Sequence, residues 1–534
     1  MLNLMYKKLA VFLIVFLLSA CAKNSSDNDA IFKPYTTQYT TVDCDEIGPE
    51  LKIDENVECG WFTVPESRYN ENNTNEITLA ILTLKSSSKT PDPDPIVYIH
   101  GGPGGLALKI ADKLAPIFED ARNSRDIILV DQRGSGYTVP YLGCPEILEQ
   151  KLNRIHLISE DVSAELPADT SINVCKDRLV ERGIDLASYS TIENTTDIDD
   201  LRKVLKINQW NLYGVSYGTR IAQTMMQHYP GGIRSVILDS AVPQKSSLLD
   251  VSDTVRKYNL LLEILDNCVI DTYCNSEYPN IDERFWERIS FLEKQSTVVP
   301  INVPELNLSA NFRFTASNLI EFVNNMIDEN NIEELPKKVT FLLESQFPEI
   351  KGELEEVVLG SLEEPLISHG AFFSIMCADE FKKPYDKTII DIQDIPEVYK
   401  QDWRDVYGGA DIGCEEWPFS KIYGLERSSV VSGIPTLILA GKYDVRTTTN
   451  TAQDIKNYLS NATYVEFPKD GHGVLVNACS QTIRDIFYDN PLAGPETACL
   501  ATIDASTTFT KPGVKIIEHP TLELPNPFQE LRQK

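Results

Sequence analysis

A serine, Ser216, sits in Gly214-Val215-Ser216-Tyr217-Gly218, directly after the apolar run Trp210 to Tyr213 and before Thr219 to His228, which can form a helix. A serine on a tight strand-to-helix turn exposes its hydroxyl at the top of a sheet, and flanking glycines let strand and helix approach without Cβ clashes. The chemistry open to such a residue is nucleophilic attack on an acyl group. A hydroxyl is a weak nucleophile, however, and needs a base that is itself held by a third group. Of the six histidines, His472 lies between Gly471 and Gly473 shortly after the strand-like Thr463 to Phe467, where a loop can carry an imidazole to the edge of a sheet. His519 falls in a proline-rich tail and is the poorer base. The acid that orients the imidazole should follow the preceding strand. Asp444 does so, a few residues after Ile434 to Gly441, whereas Asp470 is two residues from His472 and belongs to its turn. The developing oxyanion needs backbone N–H donors, one from the residue after the nucleophile and one from an earlier glycine-rich loop. Tyr217 and Gly102 are the candidates.

These residues must be positioned by a sheet. Short apolar runs without strict alternation each lead into a glycine-rich or polar turn: Ile96 to Ile99 into His100-Gly101-Gly102-Pro103-Gly104, Ile127 to Val130 into Asp131-Gln132-Arg133-Gly134-Ser135-Gly136, and Trp210 to Tyr213 into the serine turn. Val236 to Leu238 and Thr436 to Leu439 complete the set, and helix-length segments such as Ile198 to Leu205 separate them. This rhythm predicts a mostly parallel sheet with helices on both faces. The chain order serine, acid, histidine is that of the α/β-hydrolase fold. Between about Pro243 and Ser429 the rhythm gives way to an acidic, helix-patterned stretch, for example Tyr258 to Leu265 and Leu319 to Ile327. That interruption predicts a mainly helical cap inserted in the core. The expected division is a signal segment at 1–20, a tether at 21–40, the first part of the core at 41–243, the cap at 244–428, the second part of the core at 429–506 and a tail at 507–534. The loop Asp131 to Gly136 can serve either scaffold support or the shaping of the site.

At the N-terminus, Lys7 and Lys8 precede the apolar run Leu9 to Leu18, too short to span a bilayer comfortably, which reads as a signal peptide. Its end, Leu18-Ser19-Ala20-Cys21, resembles the lipobox of bacterial lipoproteins. The resemblance implies lipidation of Cys21 and an exported protein anchored to a membrane. Ala22 stands where many lipoproteins retained at the inner membrane carry aspartate, so outer-membrane residence is the expectation. The alternative is an ordinary signal peptide ending at an incidental cysteine. Ten cysteines remain, as the neighbouring pairs Cys44/Cys59, Cys144/Cys175, Cys268/Cys274, Cys377/Cys414 and Cys479/Cys499. Disulfides are expected in an exported chain. No cysteine pair has the histidine spacing of a metal site, and neither a metal nor another cofactor is expected. A formal net charge of −30 argues against nucleic acid as a partner, because phosphate binding depends on clustered lysine and arginine.

Taken together, His100 to Gly105, Asp131 to Gly136, Trp210 to Arg220 and Val236 to Ser240 resemble the prolyl aminopeptidase and tripeptidyl aminopeptidase family of α/β-hydrolase serine peptidases. Leu437 to Asp444, Gly471-His472-Gly473, Cys479 and Cys414-Glu415-Glu416-Trp417-Pro418 are similar to the C-terminal part of its secreted tripeptidyl members. The resemblance covers about residues 40 to 500 and thins within the cap. It implies release of residues or short peptides from the free N-terminus of a peptide, through an acyl-enzyme on Ser216. Such an enzyme needs a carboxylate for the substrate ammonium, since a desolvated cation is costly unless paired. Asp379 and Glu380, beside Cys377, are the candidates; the other reading is a solvated acidic pair. Two rivals remain open: an esterase or other small-acyl hydrolase with the same triad, and a non-catalytic binding lipoprotein that keeps the fold.

Overall fold

A computed structural model of the chain describes residues 35–160, 170–245, 251–303, 308–328, 332–344, 355, 367–380, 390–391, 393–418, 428–503 and 509. The signal segment, Cys21, His519 and the tail beyond Phe509 lie outside the described residues. The strands, in chain order, are β1 (Gln38–Val42), β2 (Val57–Pro65), β3 (Glu76–Leu84), β4 (Ile96–Ile99), β5 (Ile127–Val130), β6 (Trp210–Val215), β7 (Ile233–Asp239), β8 (Thr297–Val303), β9 (Leu308–Phe314), β10 (Thr436–Gly441) and β11 (Ala462–Phe467). Nine of them form one sheet in the order β1-β2-β3-β5-β4-β6-β7-β10-β11. It is antiparallel from β1 to β5 and parallel from β5 through β11.

The central strands are apolar because both of their faces are covered. Every residue of β4 (Ile-Val-Tyr-Ile) and β5 (Ile-Ile-Leu-Val) is buried, each large side chain contributing roughly 1.5–3 kcal/mol. On one face Tyr98, Leu129, Tyr213 and Ile237 pack with Leu114, Ile483 and Phe487 from helices Ala111–Ile117 and Ala478–Asp489. On the other, Val97, Ile128, Leu212 and Val236 pack with Ile198, Ile221, Met225 and Ile455 from helices Thr191–Val204, Tyr217–His228 and Thr449–Lys456. This is the α/β-hydrolase architecture.

Between β7 and β10 the chain leaves the sheet. Helices Val251–Ile270, Ile281–Lys294, Ala316–Asp328, Leu335–Glu344, His369–Asp379 and Glu397–Glu416 lie in this insertion. An apolar cluster of its own includes Leu261, Phe285, Leu319, Val339 and Tyr399, and takes in Tyr443 and Val445 from the turn after β10. The insertion also contains the antiparallel pair β8–β9, where a helical pattern was expected. The reason is local: in β8, Thr297, Val299, Ile301 and Val303 are buried while Pro300 and Asn302 are exposed, a period of two that only a strand satisfies.

Five disulfides join Cys44 to Cys59, Cys144 to Cys175, Cys268 to Cys274, Cys377 to Cys414 and Cys479 to Cys499. One ties the helix His369–Asp379 to the helix Glu397–Glu416, and another secures the helix that follows His472. Among the described residues no helix is long and apolar enough to cross a membrane.

Candidate active site

The last residue of β6 is Val215, and the helix Tyr217–His228 starts two residues later. Ser216 joins them with φ 53° and ψ −124°, a conformation that costs an L-residue on the order of 1–3 kcal/mol and persists only where the surroundings enforce it. They do so here. The Ser216 N–H donates to the Asp239 carbonyl at 2.9 Å, and a Cβ on Gly218 would lie 2.1 Å from the Ile99 carbonyl oxygen. Tyr217 opens the helix, and the first amides of a helix have no acceptor within it. The loop after β4 closes against the same turn: a Cβ on Gly101 would lie 2.9 Å from the Ser216 Cβ. Gly102, the next residue, has φ 121°. The serine, the Tyr217 amide and the Gly102 loop thus meet at the C-terminal ends of β4 and β6.

Asp444 lies in the turn after β10, completely buried. Its Oδ1 accepts from the Arg446 and Thr447 amides at 2.9 and 2.7 Å, and its Oδ2 from the Thr447 hydroxyl at 2.7 Å. Both carboxylate oxygens are 3.0 Å from His472 Nδ1. Burial pushes the Asp444 carboxyl up, but the His472 imidazole and the Thr447 donors outweigh it and hold the group below the usual carboxylate range. A proton on Nδ1 facing the carboxylate leaves Nε2 as the basic atom. Asp470 faces elsewhere, accepting from Asn477 Nδ2 at 3.0 Å on each oxygen.

Two residues at the end of β7 that the sequence reading did not single out connect histidine and serine. Asp239 Oδ1 accepts from the Val474 amide at 3.0 Å, and Ser240 Oγ from the Gly473 amide at 2.8 Å. The signal was present in the sequence as a polar pair, Asp239-Ser240, directly after an apolar strand.

Besides the packing around Tyr443 and Val445, the insertion meets the site at the helix His369–Asp379 and the residues just before it. Ile367 bridges to Gly105, and the Ser368 amide donates to the Gly104 carbonyl at 2.9 Å, so this segment meets the loop that carries Gly102. The helix His369–Asp379 then runs to the acidic pair. Asp379 Oδ2 accepts from the Thr191 hydroxyl at 2.5 Å, and that hydroxyl is 2.6 Å from the Tyr217 hydroxyl. Glu380 does not stand as a solvated carboxylate: its Oε1 is 2.5 Å from Arg220 Nη1, and both side chains are 1% exposed. Arg220, on the helix that follows the serine, is a further residue that the sequence reading passed over. The loop Asp131 to Gly136 serves as scaffold. Asp131 accepts from the Leu108 and Tyr137 amides, although burial pushes its carboxyl up to about 7. Gln132 Nε2 donates to the His100 carbonyl at 2.8 Å, steadying the start of the Gly102 loop. His100 is itself hydrogen-bonded through Nδ1 to the Tyr98 hydroxyl at 2.7 Å, and burial pushes its imidazole down to about 4.

Among the described residues, the group Cys144, Glu146 and Cys175 is compact enough to hold a metal ion. Its two sulfurs are joined in a disulfide and Glu146 pairs with Arg178, so it offers no thiolate ligand.

The chain is similar to known proteins over parts of its length. A family model described as the alpha/beta hydrolase fold matches residues 94–265, and one described as TAP-like protein matches residues 400–499. A tripeptidyl aminopeptidase of Streptomyces lividans is 22% identical over 214 residues, which is 38% of this chain and 38% of that protein. A serine protease of Mycobacterium tuberculosis is 23% identical over 242 residues, 44% of this chain and 45% of its own length. A proline iminopeptidase of Arabidopsis thaliana is 26% identical over 174 residues, 33% of each. Each alignment spans less than half of the relative's length. The first family match covers β4 to β7 with the serine turn, and the second covers β10, β11, Asp444 and His472. The chain therefore has the α/β-hydrolase fold, and over the matched segments it is similar to proline and tripeptidyl aminopeptidases.

Proposed function

We propose that the chain is a serine exopeptidase that releases residues or short peptides from the free N-terminus of peptides. Ser216 attacks the scissile carbonyl while His472 Nε2 takes its proton, and Asp444 holds the imidazole and stabilises its charged form. The oxyanion is received by the Tyr217 and Gly102 amides, and the imidazolium then protonates the leaving amine. Water completes the cycle by the same route. Names of relatives support peptide substrates, and the observation that favours the N-terminus is the acidic pair. Through Thr191, Asp379 is two hydrogen bonds from Tyr217, the residue after the nucleophile. Asp379 and Glu380 are both buried, beside the helix that begins at Tyr217, and a buried carboxylate is the kind of group that pairs with a desolvated ammonium.

The test compares peptide amides with a free N-terminus, the same peptides N-acetylated, and a small ester. Asp379→Asn should lower kcat/KM on the free peptides by about ten- to a hundredfold, the worth of a buried charge-assisted contact, and change ester turnover little. Glu380→Gln should do the same and also lower the melting temperature, because it breaks the buried ion pair with Arg220. If wild type hydrolyses free and acetylated peptides equally and prefers the ester, the esterase reading replaces this one. For its setting we propose an exported protein tethered through Cys21. Five disulfides persist best outside a reducing cytosol, which supports that placement.

A further inference from the structure

Asp239 closes β7 and is fully buried. Its carbonyl accepts from the Ser216 amide at 2.9 Å, its Oδ1 from the Val474 amide at 3.0 Å and its Oδ2 from the Tyr213 hydroxyl at 2.6 Å. Tyr213 is on β6, three residues before Ser216, and its ring is locked: Tyr98 stacks on it at 6.0 Å, Phe118 meets it edge-on at 5.7 Å, and the Arg484 guanidinium lies 5.2 Å from its centre. One side chain therefore ties the strand that carries the serine to the loop that carries the histidine. Ser240, at φ 53°, takes the neighbouring Gly473 amide and doubles the tie. Asp444 fixes the orientation of the imidazole ring, whereas Asp239 and Ser240 hold the loop that carries it.

A buried carboxylate in a sheet is costly, and an apolar residue would pack there at less expense. What an apolar residue cannot do is accept hydrogen bonds on two atoms at once, from an amide of the histidine loop and from a hydroxyl of the nucleophile strand. We propose that Asp239 is a positioning residue for the reaction: by holding the two backbone segments together it sets the separation of Ser216 Oγ and His472 Nε2. Transfer of the serine proton depends steeply on that separation, and a displacement of about 1 Å costs on the order of a hundredfold.

The inference rests on Ser216 as the nucleophile, and the experiment separates the two. A fluorophosphonate probe reacts with an activated serine whatever the substrate class, so its rate of labelling at Ser216 reports the dyad directly. Failure to label wild type would overturn both readings. With wild type labelled, Asp239→Ala should slow labelling and lower kcat on the wild-type substrate by about ten- to a hundredfold, with KM within about threefold. Asp239→Asn should recover most of the loss, because an amide oxygen still accepts from Val474 and the amide nitrogen can donate to the Tyr213 oxygen. Should Asp239→Ala fail to fold, Tyr213→Phe decides: it keeps the ring packing, removes one of the two ties and should slow labelling by about three- to tenfold. Labelling within about twofold of wild type in the folded alanine variant, or in Tyr213→Phe where alanine does not fold, overturns the inference and leaves the nucleophile standing. So does a loss confined to KM, or an asparagine variant no better than alanine.

Discussion

Ser216→Ala and His472→Ala should each leave a folded protein whose turnover is lower by about 10³-fold or more. The size follows from what each removes. Without the hydroxyl no acyl-enzyme can form, and without the imidazole the hydroxyl loses the base that Asp444 holds. Folding should survive both changes. Ser216 holds its turn through its main-chain amide rather than its hydroxyl, and the loop of His472 is secured by the Gly473 and Val474 amides. Removing the hydroxyl leaves the Cβ in place at φ 53°, a conformation that alanine tolerates no better and no worse than serine. The double variant should lose scarcely more than either single one, because the two residues act as a unit. Asp444→Asn should also be severely impaired, since an amide nitrogen facing Nδ1 favours the wrong tautomer. The measurements are steady-state rates on a peptide amide together with a thermal melt of each variant. Near-normal turnover in folded Ser216→Ala would place the nucleophile elsewhere.

Much of this arrangement is legible in the sequence, and what is legible has a common cause. β4 and β5 are buried at every position, so their boundaries coincide with the apolar runs Ile96 to Ile99 and Ile127 to Val130. Where a strand runs on into polar residues, as β7 does to Asp239, composition stops short of the structural end. β1 carries no such signal, since no residue of its Gln-Tyr-Thr-Thr-Val is buried, whereas β3, buried from Leu79 to Leu84, offers the same apolar run and is passed over by the sequence reading. β8 and β9 were hidden in an acidic, helix-patterned neighbourhood. For the site, chain order selects Ser216, Asp444 and His472 because each sits in the turn after a strand. The partners that hold them do not follow from order. Arg220 is 160 residues from Glu380 and Asp239 is 235 from Val474, contacts that exist only once the sheet is assembled.

The same reasoning from contacts fixes the expected outcome of Arg133→Ala, which should destabilise the fold by about 3–5 kcal/mol. Arg133 is fully buried and uses its guanidinium completely. Nε and Nη2 grip Asp197 at 2.8 Å each, while Nη1 donates to the carbonyls of Glu66 and Ser188 at 2.8 and 2.5 Å. Arg68, equally buried, bonds Glu193, Asp197 and Asp200 at 2.5, 2.7 and 2.9 Å. Two cations thus face three carboxylates inside the protein, and Tyr35 adds a donor to Asp200 at 2.7 Å. Truncating Arg133 leaves Asp197 and Glu193 to share Arg68 with Asp200, so negative charge stays buried without compensation. That penalty, rather than the worth of any single contact, sets the size of the loss. Arg133→Lys retains the charge but not the two-pronged grip and should recover only part of it. The loop Asp131 to Gly136 hangs on this residue, and Gln132 steadies the Gly102 loop from it. Arg133 itself bonds Glu66, Ser188, Asn194 and Asp197, none of them in the triad or the oxyanion loop, so activity per folded molecule should fall far less than stability does. Urea denaturation of wild type and both variants at neutral pH supplies the comparison. An alanine variant within about 1 kcal/mol of wild type would mean that the cluster does not hold the fold together.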